Sequence, residues 1–345
     1  VERFLITVLN SGGERTLNDI RDQAATLAPA LGMQKEEQTL RSIIGALLGT
    51  HNRGELRTRD GKLVAKGTPV DSERMARFEV LATFLRSAVL PHIPNNVPAG
   101  VARHNFAFIE SYFSNYVEGT KFDIHEAKDI VLHNRPVASR PKDSHDILGV
   151  FRLAVSSPYR DSPPTSGPDF LTSLESWHGE MLRMRPEANP GKMKLEVNYA
   201  GTTKFVEPGL VRGTIEEGSR LALSVPEGLA RAIYYAFIIS EVHPFEDGNG
   251  RLSRLALNAE LTRMGLHRVI IPTLFHPQYV DCARNLTRNN EPEGFARSIA
   301  KMVQWCSQFD YSDLDKLISN LQATNALEES PVQFKLLNLD GTAAS

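Results

Sequence analysis

The chain has little cysteine, no long apolar run and almost no net charge, and each shortage closes off a class of protein. Only Cys282 and Cys306 occur in 345 residues. They fit neither a metal-ligand spacing nor a disulfide framework, so a reducing cytoplasm is the expected compartment. No stretch reaches the roughly 18 apolar residues that a membrane-spanning helix needs. The first residues, which start at Val1, carry no signal-peptide pattern, and no membrane association is expected. A formal net charge of −2 gives no global pull toward nucleic acid or anionic lipid, leaving only local basic patches. The length exceeds what one small core organises, so a main domain with accessories is expected.

Residues 1–70 read as a small module. Phe4, Leu5, Val8 and Leu9 recur at helical spacing and stop at Ser11-Gly12-Gly13. Thr16 is placed to cap a second helix that Gly32 ends. A third helix, Glu36 to Leu48, sets Leu40, Ile43, Ile44 and Leu47 on one face. Glu55 to Ala65, around Asp60-Gly61, reads as a hairpin. Three helices and a hairpin follow the order of a winged helix, with Arg41, Arg53, Arg57 and Arg59 as phosphate contacts if it binds DNA. Glu36 and Glu37 would repel a phosphate backbone, and docking or dimerisation is the competing use.

A helical connector spans 71–99, with Met75, Phe78, Leu81, Leu85 and Val89 apolar. The next helix, 101–119, ends in Glu118-Gly119, where Gly119 suits a left-handed cap. A carboxylate in a last helical turn opposes the helix dipole, so Glu118 needs a cationic partner. Leu171, Leu174, Trp177, Met181 and Leu182 form a core stripe. From 191 to 206 the pattern alternates, with Met193, Leu195 and Val197 before a turn and Thr203 to Val206 after it. This is a β-hairpin whose free edge can take an extended peptide. Ser224 and Glu227 make a capping box for a helix running to Val242. Residues 306–345 hold one amphipathic helix and a tail.

His243-Pro244-Phe245-Glu246-Asp247-Gly248-Asn249-Gly250-Arg251-Leu252-Ser253-Arg254 is the densest polar stretch, set between two apolar segments. Pro244 breaks the first helix. Gly248-Asn249-Gly250 turns the backbone into the next, whose first turn carries Arg251 and Arg254. Converging amides, a helix N-terminus and two arginines suit polyphosphate. Asp247 at the edge suits Mg²⁺, and His243 is placed to take a proton from a hydroxyl. A calcium loop would need more carboxylates where arginine stands.

These twelve residues match without departure His-Pro-Phe-x-(Asp/Glu)-Gly-Asn-Gly-Arg-x-x-Arg, and the chain thereby resembles the Fic family, over roughly 100–305. The resemblance implies a mainly α fold, a Fic-type helical core with a β-hairpin flap, beside the winged-helix-like module. It implies protein adenylyltransfer: AMP moves from ATP, with Mg²⁺, to a Tyr, Ser or Thr hydroxyl of a target protein or of the chain itself. His243 is then the general base and Phe245 the loop's anchor. Asp247 binds the metal, Gly248, Asn249 and Gly250 cradle phosphate, and Arg251 and Arg254 hold the outer phosphates. Leu195, Val197, Thr203 and Phe205 belong to the target-docking flap. Ser114 to Gly119 is similar to the family's inhibitory pattern (Ser/Thr)-x-x-x-Glu-(Gly/Asn), N-terminal to the core as in class II members, which implies pairing of Glu118 with Arg254. Tyr279 and Asn285 are candidates for adenine contact. Three alternatives stay open: removal of AMP, transfer of another phosphate-containing group, and a DNA-binding regulator with a nucleotide-sensing core.

Overall fold

The computed structural model describes residues 1–344; the side chain of Arg53, one of the arginines set against phosphates above, lies outside the described residues. The chain divides into two compact units, Val1–Glu73 with Gly209–Thr214, and Arg74–Pro208 with Ile215–Ser345.

The first unit is built from α1 (Glu2–Leu31), α2 (Gln34–Leu47) and α3 (Arg59–Val64). Gly13, at φ 69° and ψ −177°, breaks α1 where the Ser-Gly-Gly run suggests, and Gly32 closes it in the left-handed conformation. Thr16 does not cap: its hydroxyl turns back to the Gly12 carbonyl at 2.6 Å. Leu5, Ile6, Leu17, Ile44, Leu47 and Leu56 form the core, with Leu40 and Ile43 packed partly buried against it. Phe4, at helical spacing with Leu5, is exposed.

The expected hairpin at 55–65 is a helix, and the module lacks a wing. The reason is long-range within this unit. The Glu2 carboxylate accepts hydrogen bonds from the Arg57 and Thr58 backbone N–H groups (2.8 and 2.9 Å) and from the Thr58 hydroxyl (2.6 Å). Thr58, so held, caps α3 by accepting from Gly61 N–H, and Asp60-Gly61 falls inside the first turn rather than at a hairpin tip. A DNA reading that rests on that wing has no hairpin to stand on.

The second unit is helical: α4 (Ser72–Ser87), α5 (Val101–Tyr116), α6 (Ile124–Leu132), α7 (Pro141–Val155) and α8 (Pro168–Met181) precede a two-stranded antiparallel sheet, β1 (Tyr199–Ala200) and β2 (Thr203–Lys204). Then follow α9 (Pro208–Leu221, shared with the first unit), α10 (Leu229–Val242), α11 (Asn249–Arg263), α12 (His276–Asn289), α13 (Pro292–Cys306) and α14 (Leu314–Ala323). Asp123 and Asp313 cap α6 and α14 with their side chains, and proline opens α7, α8 and α13, where its missing N–H costs nothing. The α8 stripe, Leu171 to Leu182, is buried as its spacing requires. In the connector, Met75, Phe78, Leu81 and Leu85 are buried, but α4 ends at Ser87 and Val89 is exposed beyond it. Phe78, Phe237 and Phe295 meet edge to face and tie α4, α10 and α13 together.

The capping box does not form. Ser224 closes a short 3₁₀ turn, with its hydroxyl on Leu221 O, and Glu227 pairs with Arg231 and Arg263. Gly228 precedes α10 instead, its N–H donating to the buried Glu260 carboxylate. Mostly apolar, with Glu241 as its one buried charge, α10 is buried along nearly its whole length. No helix among the described residues is long and apolar enough to cross a membrane, and both cysteines are free.

Replacing Glu2 with Ala removes the acceptor shared by Arg57 and Thr58. The expected outcome is faster hydrogen exchange at those two amides in the full chain, with the α10 amides unchanged. Unaltered protection at both would show that Glu2 does not hold α3.

Candidate active site

Between α10 and α11 the chain makes a short loop whose shape is set by two side chains. His243 ends α10 with φ 54° and ψ 62°. Phe245 is fully buried and stacks on His178 of α8, ring centroids 4.1 Å apart. The Asn249 carboxamide then spans the loop: it accepts from Phe245 N–H at 3.0 Å and donates to Phe245 O at 2.8 Å. Both ends of that amide are engaged within the loop, so what Asn249 can offer a phosphate cradle is its backbone N–H. Gly248 precedes α11 with φ 79°, and no side chain caps the helix. The first-turn N–H groups of Asn249, Gly250 and Arg251 therefore lack intrahelical acceptors.

His243 is half-buried beside this turn. Its Nδ1 lies 3.0 Å from the Ser240 carbonyl. A carbonyl only accepts, so Nδ1 carries the proton and Nε2 keeps its lone pair. Phe205 stacks on the ring at 3.7 Å. Burial pushes the His243 pKa down to about 4, against the opposing effect of the Ser240 hydrogen bond.

The two arginines of the loop have different surroundings. Arg254 donates through Nε to Ser114 Oγ (3.0 Å) and through Nη2 to Ser114 O (2.9 Å) and Glu118 Oε1 (2.7 Å). Burial opposes charge on Glu118, but the Arg254 guanidinium outweighs it and holds the carboxyl below its usual range. Glu118 stands in the turn after α5, closed by Gly119 at φ 97°. Gly250 leaves it room, because a Cβ there would sit 2.1 Å from Glu118 Oε1. Arg251 is buried, with Nη1 on Asp146 of α7 (3.0 Å) and Nη2 on Asp247 (2.9 Å). It does not line the cleft, contrary to the expectation that both arginines face phosphate.

A cleft of about 290 Å³ opens over this turn, lined among others by Glu118, His243, Gly250, Arg254, His276 and Tyr279. Tyr279 thus reaches the cleft, whereas Asn285 is engaged with Glu291 at 2.6 Å and does not. At the rim the Asp247 carboxylate is 46% exposed. One oxygen accepts from Gly248 N–H and the other from Arg251, which leaves lone pairs for a cation. No group of three or more His, Cys, Asp or Glu forms a metal site among the described residues. A Mg²⁺ ion fits here only with phosphate oxygens and water completing its shell.

The flap is shorter than its alternation suggests. Tyr199 pairs with Lys204 and Ala200 with Thr203; Leu195 and Val197 lie outside the strands. Lys194 N–H donates to Pro244 O (3.0 Å), and the Asn198 side chain donates to Phe245 O (2.9 Å). The segment before β1 is therefore tied to the loop as well as to its own return strand, where Phe205 N–H donates to Asn198 O (3.1 Å). Thr203 and Phe205 line the cleft.

His178 is the residue that sequence reasoning missed. Its Nδ1 accepts from Gly191 N–H (2.8 Å) and Nε2 donates to Asp247 O (3.1 Å), so one imidazole joins the base of the flap to the loop. A histidine within an apolar stripe gives no local sign of this. Asp146 and His276 were equally silent.

Two outcomes follow from this geometry. Asn249→Ala orphans the buried Phe245 N–H while Phe245 O keeps Asn198, and should cost about 1–3 kcal/mol in denaturant unfolding of the full chain. In the nucleotide-free protein, nitrogen NMR should find the His243 ring neutral, with Nδ1 protonated, down to near pH 4. Titration near the ordinary histidine value of about 6.5 would mean that burial does not govern it.

Residues 172–261 match the Fic/DOC family. The protein adenylyltransferase Fic of Culex quinquefasciatus is 27% identical over 250 residues, covering 69% of this chain and 47% of that one. Its counterpart from Aedes aegypti is 26% identical over 204 residues, covering 57% and 39%. The chain thus spans less than half the length of these curated relatives. A Fic family protein from Desulfovibrio desulfuricans G20 superposes with a TM-score of 0.51 at 15% identity, covering 78% of this chain and 80% of that one, a likeness of fold. The mainly helical second unit with its small two-stranded sheet is accordingly similar in fold to a Fic-type core, and the chain, through its Fic/DOC match over residues 172–261, is related to known Fic adenylyltransferases.

Proposed function

We propose that this chain is a protein adenylyltransferase restrained by its own Glu118. ATP is the substrate, with its phosphates over the N-terminus of α11 and its base toward Tyr279 and His276. A target Tyr, Ser or Thr hydroxyl attacks the α-phosphorus, the bond to the bridging oxygen of the β-phosphate breaks, and diphosphate leaves. His243 Nε2 accepts the hydroxyl proton. The observation that carries this assignment is the His243 tautomer: with Nδ1 spent on Ser240, the ring has one basic nitrogen, and it lines the same cleft as Arg254 and the uncapped turn.

Asp247 would hold Mg²⁺, which neutralises charge between phosphate oxygens. Arg251, fixed by Asp146, keeps Asp247 at the rim rather than reaching phosphate itself. Glu118 occupies the guanidinium face that a terminal phosphate would need, so the Glu118–Arg254 pair competes with productive ATP binding. Thr203 and Phe205, on the short hairpin, are the flap residues placed to present a target segment beside His243. The same groups serve the reverse reaction, because Glu118 lines the cleft and is only partly buried, with a carboxylate available to a water.

Label from α-phosphorus-labelled ATP on a lysate or on the chain itself tests the assignment. Glu118→Gly removes a charge-assisted hydrogen bond worth about 1.5–3 kcal/mol, so labelling should rise roughly ten- to hundredfold. Adding His243→Ala should cut that gain by at least about a hundredfold. No rise with Glu118→Gly sinks the restraint, and γ-label in place of α-label sinks AMP transfer. Loss of AMP from a modified target with wild type, but not with Glu118→Gly, favours the reverse direction.

A further inference from the structure

At the other end of α11 a second cavity, about 160 Å³, is walled by Asn95, Arg103, Arg160, Thr262, Gly265 and Arg268. It shares no lining residue with the cleft; Thr262 stands about 12 Å along α11 from Arg254. The wall is held by backbone pairing: Asn95 N–H donates to Gly265 O and His267 N–H to Ile93 O.

Three guanidiniums meet here, and only one is neutralised. Arg268 makes a forked pair with Glu110 of α5, and its Nη1 is spent on Arg160 O, Asn258 O and Thr262 Oγ1. Arg103 and Arg160 have no carboxylate and no hydrogen-bond acceptor for their side chains among the described residues, and Arg103 Nε is buried without a partner. Asp161, the neighbouring acid, is held by the hydroxyls of Ser157 and Ser162 and acts on Arg160 only through its field. Burial, then the charges of Arg268 and Arg103, push Arg160 down to about 10. Two unmatched guanidiniums beside a paired third, in an enclosed space, repel one another unless an anion completes the set.

We propose that this cavity binds a compact phosphoryl dianion, either inorganic phosphate or the phosphoryl end of a small phosphate ester. Two unneutralised guanidiniums match a charge of about −2, and their forks suit paired phosphoryl oxygens better than a lone carboxylate. Asn95 supplies a neutral donor at the rim, with one Nδ2 hydrogen beyond the bond to Val97 O; the Thr262 hydroxyl is already spent on Asn258 O and Arg268. The site is independent of the nucleotide reading, because it uses none of that cleft.

Calorimetric titration with inorganic phosphate, at ionic strength held with chloride, tests it on the full chain. Arg254→Gln serves as background to silence the cleft. Saturable uptake of one phosphate is expected there, weakened at least about tenfold when Arg103→Gln and Arg160→Gln are added. In phosphate-free buffer the same added pair should leave thermal stability equal or higher, since it relieves like-charge repulsion. Glycerol phosphate as a second titrant separates the sources: tighter binding than phosphate marks an ester, weaker binding free phosphate. No saturable uptake, uptake indifferent to the two arginines, or a melting point lowered in phosphate-free buffer would overturn the proposal.

Discussion

A buried guanidinium has to be surrounded by acceptors, and in this protein that demand on Arg254 organises the cleft end of the second unit. Its acceptors come from the last turn of α5 and the turn beyond it: the Ser114 hydroxyl and carbonyl, then Glu118. One turn further along each helix, Asn258 of α11 donates to Glu110 of α5. The two helices therefore meet through a polar seam stepped four residues at a time, in opposite directions. Such a seam fixes register more strictly than an apolar contact, because a slip leaves charges unpaired at a cost of several kcal/mol. Gly250 belongs to the same constraint, since any side chain there would strike the Glu118 carboxylate.

This seam explains why α10 and α11 differ although both are buried. The first is apolar over most of its buried surface, with Glu241 the one buried charge. The second carries Asn249, Arg251, Ser253, Arg254, Asn258 and Glu260 in its buried surface. Those polar groups are tolerable because α5, α7 and the approach to α10 supply partners: Asp146 for Arg251, Ser114 for Arg254, Gly228 N–H for Glu260. The loop ahead of α11 is held just as fully, by Asn249 across it and by Phe245 on His178 beneath it. Preorganisation of this kind keeps the α11 N-terminus and His243 in fixed relation before any ligand arrives.

Along α5 the seam links two regions of different chemistry. At its N-terminal end Arg103 faces the arginine-lined cavity, and Glu110 neutralises one of the guanidiniums there. At its C-terminal end Ser114 and Glu118 meet Arg254. Glu110 of the helix and Glu118 in the turn beyond it are thus each assigned to an arginine, while Arg103 and Arg160 are left without a carboxylate. That imbalance, local to one cavity in a chain close to neutral overall, is invisible in the net charge.

How much of this was legible in the sequence depends on the range of the interaction that decides each feature. Pro244, Gly248 and the apolar runs around them marked a loop between two core helices, because chain breaks and burial periodicity are local properties. The α8 stripe and the need of Glu118 for a cation were legible for the same reason. Elsewhere a distant partner decided. Glu2, 55 residues before Arg57, turned an apparent hairpin into a capped helix. Lys194 N–H and the Asn198 side chain tied the flap to the loop, and Asp146 drew Arg251 away from the cleft. His178, hidden in an apolar stripe, became the bridge between flap and loop. The sequence by itself determined where the chemistry stands and which segments bury themselves. Only the tertiary structure decided which charges are spent on one another, since a buried charge answers to whatever side chain the fold brings within 3 Å of it, 136 residues away for Arg254 and Glu118.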